Sequence, residues 1–139
     1  MVVKKNIFML VLFLSFIGSV KLLASNEISK ISASDIIAAK KLYDIFKNKE
    51  ASMKDYEGKK VTVRGIPVKI GPDVYTLPSV ELSEIKDGSA RLLCVLPFKD
   101  YLKLRHTTKG EEAIITGIVR GYSDKYDIVV MKECQIKVD

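Results

Sequence analysis

The sequence predicts a mainly-β domain, a small five-stranded Greek-key barrel with an amphipathic helix ahead of it. Three observations point there. Residues 59–138 break into five short runs of alternating apolar and polar residues, separated by glycine- and proline-containing turns. The first run, Lys59–Ile70, carries a glycine inside it; Val61 and Val63 alternate with Thr62 and Arg64, then Ile66, Val68 and Ile70 become the apolar set. A glycine at such a phase slip predicts a bulge or bend, the device that coils a sheet into a barrel. Finally, a helical segment falls between the third and fourth runs and nowhere else among them.

Ahead of the barrel, residues 1–25 have the three-part form of an export signal. Lys4 and Lys5 supply the positive start, Ile7 to Val20 is an apolar run of 14, and Leu23-Ala24-Ser25 offers a small-residue cleavage site. As a helix the run would rise only about 21 Å, short of the roughly 30 Å hydrocarbon core. The expectation is a signal peptide cut after Ala24 or Ser25, with an uncleaved N-terminal anchor as the alternative. The mature chain, residues 26–139, would then lie in the periplasm or outside the cell. No cysteine stands near the end of the run, so there is no lipobox cysteine to lipidate.

Charge excludes little. The formal net charge is +6, but Lys4, Lys5 and Lys21 lie in the leader, which holds no acidic residue. Residues 26–139 therefore carry 20 Lys+Arg against 17 Asp+Glu, a net of +3. Such an excess is compatible with an anionic partner without demanding one.

In order along the chain, Ser32-Ala33-Ser34-Asp35 reads as a capping box opening a helix over about residues 34–52. Ile36, Ala39, Tyr43 and Phe46 form its apolar stripe, widened by Ile37, Leu42 and Ile45, with Lys40, Lys41, Lys47 and Lys49 outside. Gly71-Pro72-Asp73 turns the chain after the first strand, and a second strand follows over Val74–Leu82, interrupted by Pro78. Lys86-Asp87-Gly88-Ser89 leads into a third, Ala90–Phe98, with Ala90, Leu92, Cys94 and Leu96 on one face. Lys99–Arg105 suits one or two helical turns. The fourth strand spans Glu112–Tyr122 and the fifth Asp127–Val138, where Ile128, Val130, Cys134, Ile136 and Val138 share a phase.

This order is that of the oligonucleotide/oligosaccharide-binding barrel, the OB-fold; a small open antiparallel sheet is its rival. In the barrel the third and fifth strands are neighbours, which would bring Cys94 and Cys134 together. Export permits a disulfide between them, and two separate buried thiols are the alternative. With no Cys-x-x-Cys, a thioredoxin-like role is not indicated.

Chemistry-bearing clusters are sparse. His106 is the single histidine, and Asp124 with Asp127 does not make a metal site. Glu111-Glu112 and Glu81 with Glu84 fit solvated charges better than paired catalytic carboxylates. No catalytic, cofactor-binding or metal-binding residue is assigned, no cofactor is expected, and the chain is not expected to be an enzyme. A binding face is the better expectation. Across the second and third strands and the first-to-second and fourth-to-fifth loops it would offer Lys69, Tyr75, Arg91, Tyr122, Lys125 and Tyr126.

The runs Ala38-Ala39-Lys40-Lys41-Leu42-Tyr43 and Asp55-Tyr56-Glu57-Gly58-Lys59-Lys60-Val61-Thr62-Val63-Arg64-Gly65 resemble the opening of the tRNA_anti-like family of small bacterial exported proteins and lipoproteins. Leu93-Cys94-Val95, Lys109 through Gly117 and Lys132-Glu133-Cys134-Gln135-Ile136 resemble its later blocks, so the resemblance covers residues 35–138. It implies an OB-fold and assigns no activity; the missing lipobox cysteine, Pro67 and Pro78 depart from its pattern. The functional expectation is an exported, non-enzymatic binding module of the bacterial envelope for a polymer, peptide, oligosaccharide or envelope protein. A single-stranded nucleic-acid binder is the alternative.

Overall fold

The computed structural model describes residues 35–138. The expected leader, residues 1–25, lies outside them, as do Ser32 and Ser34 of the expected capping box. The described elements are β1 (Ile36–Ala38), α1 (Ala39–Lys47), a 3-10 turn (Ala51–Asp55), β2 (Lys60–Pro72), β3 (Pro78–Ser83), β4 (Leu92–Val95), a kinked 3-10 helix (Phe98–His106), β5 (Ala113–Ser123) and β6 (Ile128–Ile136). The sheet order is β1-β2-β3-β4-β6-β5, and β2 also pairs with β5. That last pairing closes the cylinder, so the barrel holds and the open-sheet rival falls. Antiparallel ladders join β2 to β3, β3 to β4, β5 to β6 and β2 to β5; β4 and β6 run parallel.

The helix does not begin where the capping box predicts. Ile36–Ala38 is extended and pairs parallel with Thr62–Arg64 of β2. β3 pairs only with the second half of β2, Ile66–Pro72. The first half would otherwise present a bare edge, and the two β-branched isoleucines suit a strand that covers it. The helix starts at Ala39 with Ala38 as an extended N-cap that makes no side-chain cap bond. It ends where Lys49 turns left-handed (φ 51°). Of the predicted apolar stripe, Ala39, Leu42, Tyr43, Ile45 and Phe46 are buried on the helix, whereas Ile36 and Ile37 belong to β1. α1 packs against β2, β3, β5 and β6 across one end of the barrel.

The glycine bend needs correcting. Val63, Gly65 and Pro67 all point inward, so the phase runs straight through Gly65. The extra residue is Val68, between the Pro67–Leu82 and Lys69–Glu81 pairs. Gly65 is needed for a different reason: a Cβ there would sit 3.0 Å from both the Ala39 and Leu82 Cβ atoms. Its bare backbone lets α1 and β3 approach.

Pro78 starts β3 instead of interrupting it, and Val74–Thr76 belong to the turn, which leaves Tyr75 exposed. In β6 the inward set is Val129, Met131 and Cys134, not the predicted Ile128-Val130-Cys134-Ile136-Val138 phase. The reason is a bulge. Thr116 pairs Gln135 and Ile118 pairs Lys132, so Glu133 and Cys134 together face Gly117, and Glu133 is left-handed (φ 52°). The inner face predicted for the third strand is correct, with Leu92, Cys94 and Leu96 buried. All buried hydrophobic residues among those described fall between Ile37 and Cys134, a core belonging to the barrel and α1.

Cys94 and Cys134 do meet across β4 and β6. In the structure they are free thiols and fully buried, the reduced state from which the expected disulfide would form. The Cys134 hydrogen bond and burial push the Cys94 thiol up, which keeps it protonated.

Candidate functional site

The six residues predicted to form one face are distributed over four places. Arg91 and Tyr122 converge at the barrel end covered by α1, around the buried Tyr43. Arg91 donates two hydrogen bonds to Glu84, Nε to Oε2 at 3.0 Å and Nη2 to Oε1 at 3.1 Å, and its guanidinium lies 4.6 Å from the Tyr43 ring centre. Tyr122 meets Tyr43 edge-on at 6.2 Å. Both phenols donate to Asp127 Oδ1, Tyr43 at 2.7 Å and Tyr122 alongside it. Lys47 donates to the Tyr43 hydroxyl at 2.9 Å and reaches Asp127 Oδ2 at 3.4 Å. Each charge here already has a partner inside the protein. Sequence proximity could not show this, because Tyr43 and Asp127 are joined only by the closed fold.

These contacts set the acid–base behaviour. The Arg91 hydrogen bonds hold Glu84 down at about 2, and the Tyr122 and Tyr43 hydroxyls hold Asp127 at about 2. The Asp127 carboxylate in turn pushes Tyr122 up to about 12. A carboxylate depressed in the folded state contributes stability above its unfolded value and loses it as pH falls through the folded one. Melting temperature is therefore expected to drop as pH falls from 4.5 toward about 2. Glu84→Gln should flatten that drop while lowering stability at neutral pH. An unchanged acid profile in the variant would contradict the assignment.

Lys69 and Tyr75 lie elsewhere. Lys69 pairs across the ladder with Glu81, Nζ to Oε2 at 3.7 Å, and the same outward row continues through Leu93 to Val130. On this wall one lysine meets one glutamate beside two half-buried apolar residues. Tyr75 is exposed in the β2–β3 turn. Lys125 and Tyr126 stand in the β5–β6 turn, Lys125 5.2 Å from the Tyr126 ring centre.

A second outward wall has the chemistry the first lacks. Register sets Lys60 of β2 opposite Ile118 of β5, and Ile118 opposite Lys132 of β6, one row across three strands. The next row is Thr62, Thr116 and Gln135, with the two threonine hydroxyls 2.8 Å apart. Between this wall and the 3-10 helix runs a groove of about 660 Å³. Leu77, Pro97 and Ile118 contribute apolar surface, and Lys60, Lys99, Lys103 and Lys132 supply positive charge. Asp100 lies 3.2 Å from Lys103, and Glu133 is the other carboxylate in the lining. None of these lysines stands out in sequence, since the row appears only once the register of three strands is known. Chemically the groove suits an extended anion laid over an apolar floor. Among the described residues, no three His, Cys, Asp or Glu side chains gather as a metal site.

The model of the tRNA_anti-like family matches residues 1–135 of the chain. Among solved structures, the chain is similar to a lipoprotein from Klebsiella pneumoniae subsp. pneumoniae MGH 78578, provisionally described as nucleic acid-binding. The two are 19% identical with a TM-score of 0.58, over 78% of this chain and 99% of that one. Two OBodies bound to hen egg-white lysozyme align less closely. AM1L10 is 20% identical with a TM-score of 0.44, over 60% of this chain and 81% of its own. AM3L09 is 18% identical with a TM-score of 0.43, over 61% and 87%. At these identities the likeness concerns the fold alone. No curated protein matches the chain significantly.

Proposed function

The chain belongs to the tRNA_anti-like family, and from that premise we propose that it is an exported, non-enzymatic OB-fold module that holds an extended anionic chain. The lysine row across β2, β5 and β6 carries this reading. Lys60 and Lys132 flank Ile118 on a continuous outer wall, with Lys99 and Lys103 opposite, so cations line both sides of an apolar floor. Ligand affinity from such a surface is electrostatic and falls with salt as counterions are released. The test is salt-titrated binding of fluorescent single-stranded oligonucleotide and of poly-glutamate. Saturable binding to at least one is expected, weakening log-linearly with salt. For a single strand, Lys60→Ala with Lys132→Ala should reduce the slope by about 1.4. No binding to either polyanion at low salt would overturn the proposal.

The second reading narrows the ligand to single-stranded nucleic acid. The apolar floor between the cations favours it, since base faces lie on apolar surface while phosphates meet lysines. The description of the Klebsiella lipoprotein agrees. Oligonucleotide binding well above that of poly-glutamate at equal charge would support it, and equal binding would reject it.

Export has a consequence for the thiols. In an oxidising compartment Cys94 and Cys134 would give up two protons and two electrons to a thiol–disulfide oxidoreductase and form one S–S bond. Both are fully buried and Cys94 is held protonated, so the reaction belongs before the barrel closes. On the chain-entropy model the bond would add about 3–4 kcal/mol. Intact mass of envelope-extracted protein under non-reducing conditions should be lighter by two hydrogens. Two free thiols there would count against either export or the bond.

A further inference from the structure

The kinked 3-10 helix Phe98–His106 sends one side chain, Leu104, into the core and leaves its other large apolar residues in solvent. Phe98 is 69% exposed, Leu102 75% and Tyr101 43%. Lys99, Lys103 and Arg105 are interleaved with them, against Asp100 as the only carboxylate of the helix. The β2–β3 turn emerges at the same end of the barrel: Leu96, two residues before Phe98, donates its N–H to the Pro78 carbonyl at 2.8 Å. That turn exposes Val74 and Tyr75 as well. Apolar side chains gathered at one end of a barrel, among cations, mark a contact surface.

We propose that this end of the barrel docks on an anionic lipid bilayer, with Phe98 and Leu102 entering the acyl boundary and Lys99, Lys103 and Arg105 meeting the head groups. Two observations select lipid over a polymer. Leu102 and Val74, the aliphatic members, have no ring on which a base or sugar could stack, yet they gain from hydrocarbon. Tyr101 and Tyr75 combine an apolar ring with a polar tip, the character suited to the interface between acyl chains and water. The charge is complementary to anionic head groups, whose attraction acts over a Debye length. This surface shares Lys99 and Lys103 with the groove, but the apolar side chains that carry the docking, Phe98, Leu102 and Val74, lie outside the groove lining.

The chain contains no tryptophan, so a single introduced one reports on its own position even with residues 1–25 attached. In the full chain, Leu102→Trp is mixed with vesicles of phosphatidylglycerol and phosphatidylcholine in equal parts. Its emission is expected to move to shorter wavelength and to be quenched by brominated acyl chains. Tyr126→Trp is the control. β4 and β6 run parallel, so the β5–β6 turn lies at the opposite end from the 3-10 helix. Tyr126→Trp should show neither change, which separates docking of this end from attachment through residues 1–25. With phosphatidylcholine alone, the affinity read at position 102 should fall about tenfold or more. Phe98→Ser in the Leu102→Trp background should weaken vesicle binding while sparing oligonucleotide affinity. The proposal is overturned if the indole probes at positions 102 and 126 respond alike, or if oligonucleotide shifts the emission of the Leu102→Trp variant and vesicles do not.

Discussion

Gly117→Ala is expected to destabilise the barrel by about 2–3 kcal/mol, as an overpacked core does. Gly117 faces inward on β5, opposite the two-residue bulge Glu133-Cys134 of β6. A Cβ built there would lie 2.5 Å from Cys134 Sγ, 3.1 Å from the Lys132 carbonyl oxygen and 3.3 Å from Cys134 Cα. The sulfur has little room to move, since it is fully buried against Cys94. Backbone supplies the other two contacts, so the ladder itself must shift. Urea unfolding followed by circular dichroism measures the loss. Cys134→Ala should restore part of it, because the closest offending atom is then gone. Strictly additive effects of the two substitutions would show that the sulfur is not what Gly117 accommodates.

Tyr43→Ala should cost more, about 3–5 kcal/mol, in the range for removing a buried aromatic ring. The ring is 2% exposed and sits between α1 and the barrel end. It gives Arg91 and Lys47 a face, Tyr122 an edge contact and Asp127 a donor. Tyr43→Phe retains the ring and should lose only the hydroxyl's contribution, about 1 kcal/mol. Hydrogen exchange should locate the damage, with Leu42–Phe46 amides losing protection before those of β4. Arg91→Ala belongs to the same cluster. It is expected to lower stability without lowering polyanion affinity per folded molecule, because the guanidinium is held by Glu84. Equal losses in Tyr43→Ala and Tyr43→Phe would move the stabilisation from ring packing to the hydroxyl.

How far residue order alone reaches is clear from where it succeeds. The five strands and the neighbouring cysteines are legible because alternation and turn residues are local signals, and the Greek-key order constrains what pairs with what. The stripe on α1 is legible for the same reason. Errors occur where a residue's role depends on a distant edge. Ile36–Ala38 is a strand because half of β2 lacks a partner, which no capping pattern near residue 34 records. The β6 phase fails at Glu133, whose left-handed backbone no glycine announces. In β2 a glycine does draw attention, but the bulge is at Val68 and Gly65 serves close packing. The binding face suffers most. Arg91 and Tyr122 have the right chemistry for a ligand, yet the closed fold engages them internally. Lys60, Ile118 and Lys132, far apart in the chain, become one row only through two ladder registers.

The most direct measurement of the groove reading is an amide chemical-shift map of the isotope-labelled protein during titration with single-stranded oligonucleotide or poly-glutamate at low salt. Binding as proposed predicts shifts concentrated at Lys60, Ile118, Lys132 and Lys99, with Arg91 and Tyr122 still. Shifts centred instead on Lys69, Glu81 and Leu93, or on the Tyr43 cluster, would contradict it.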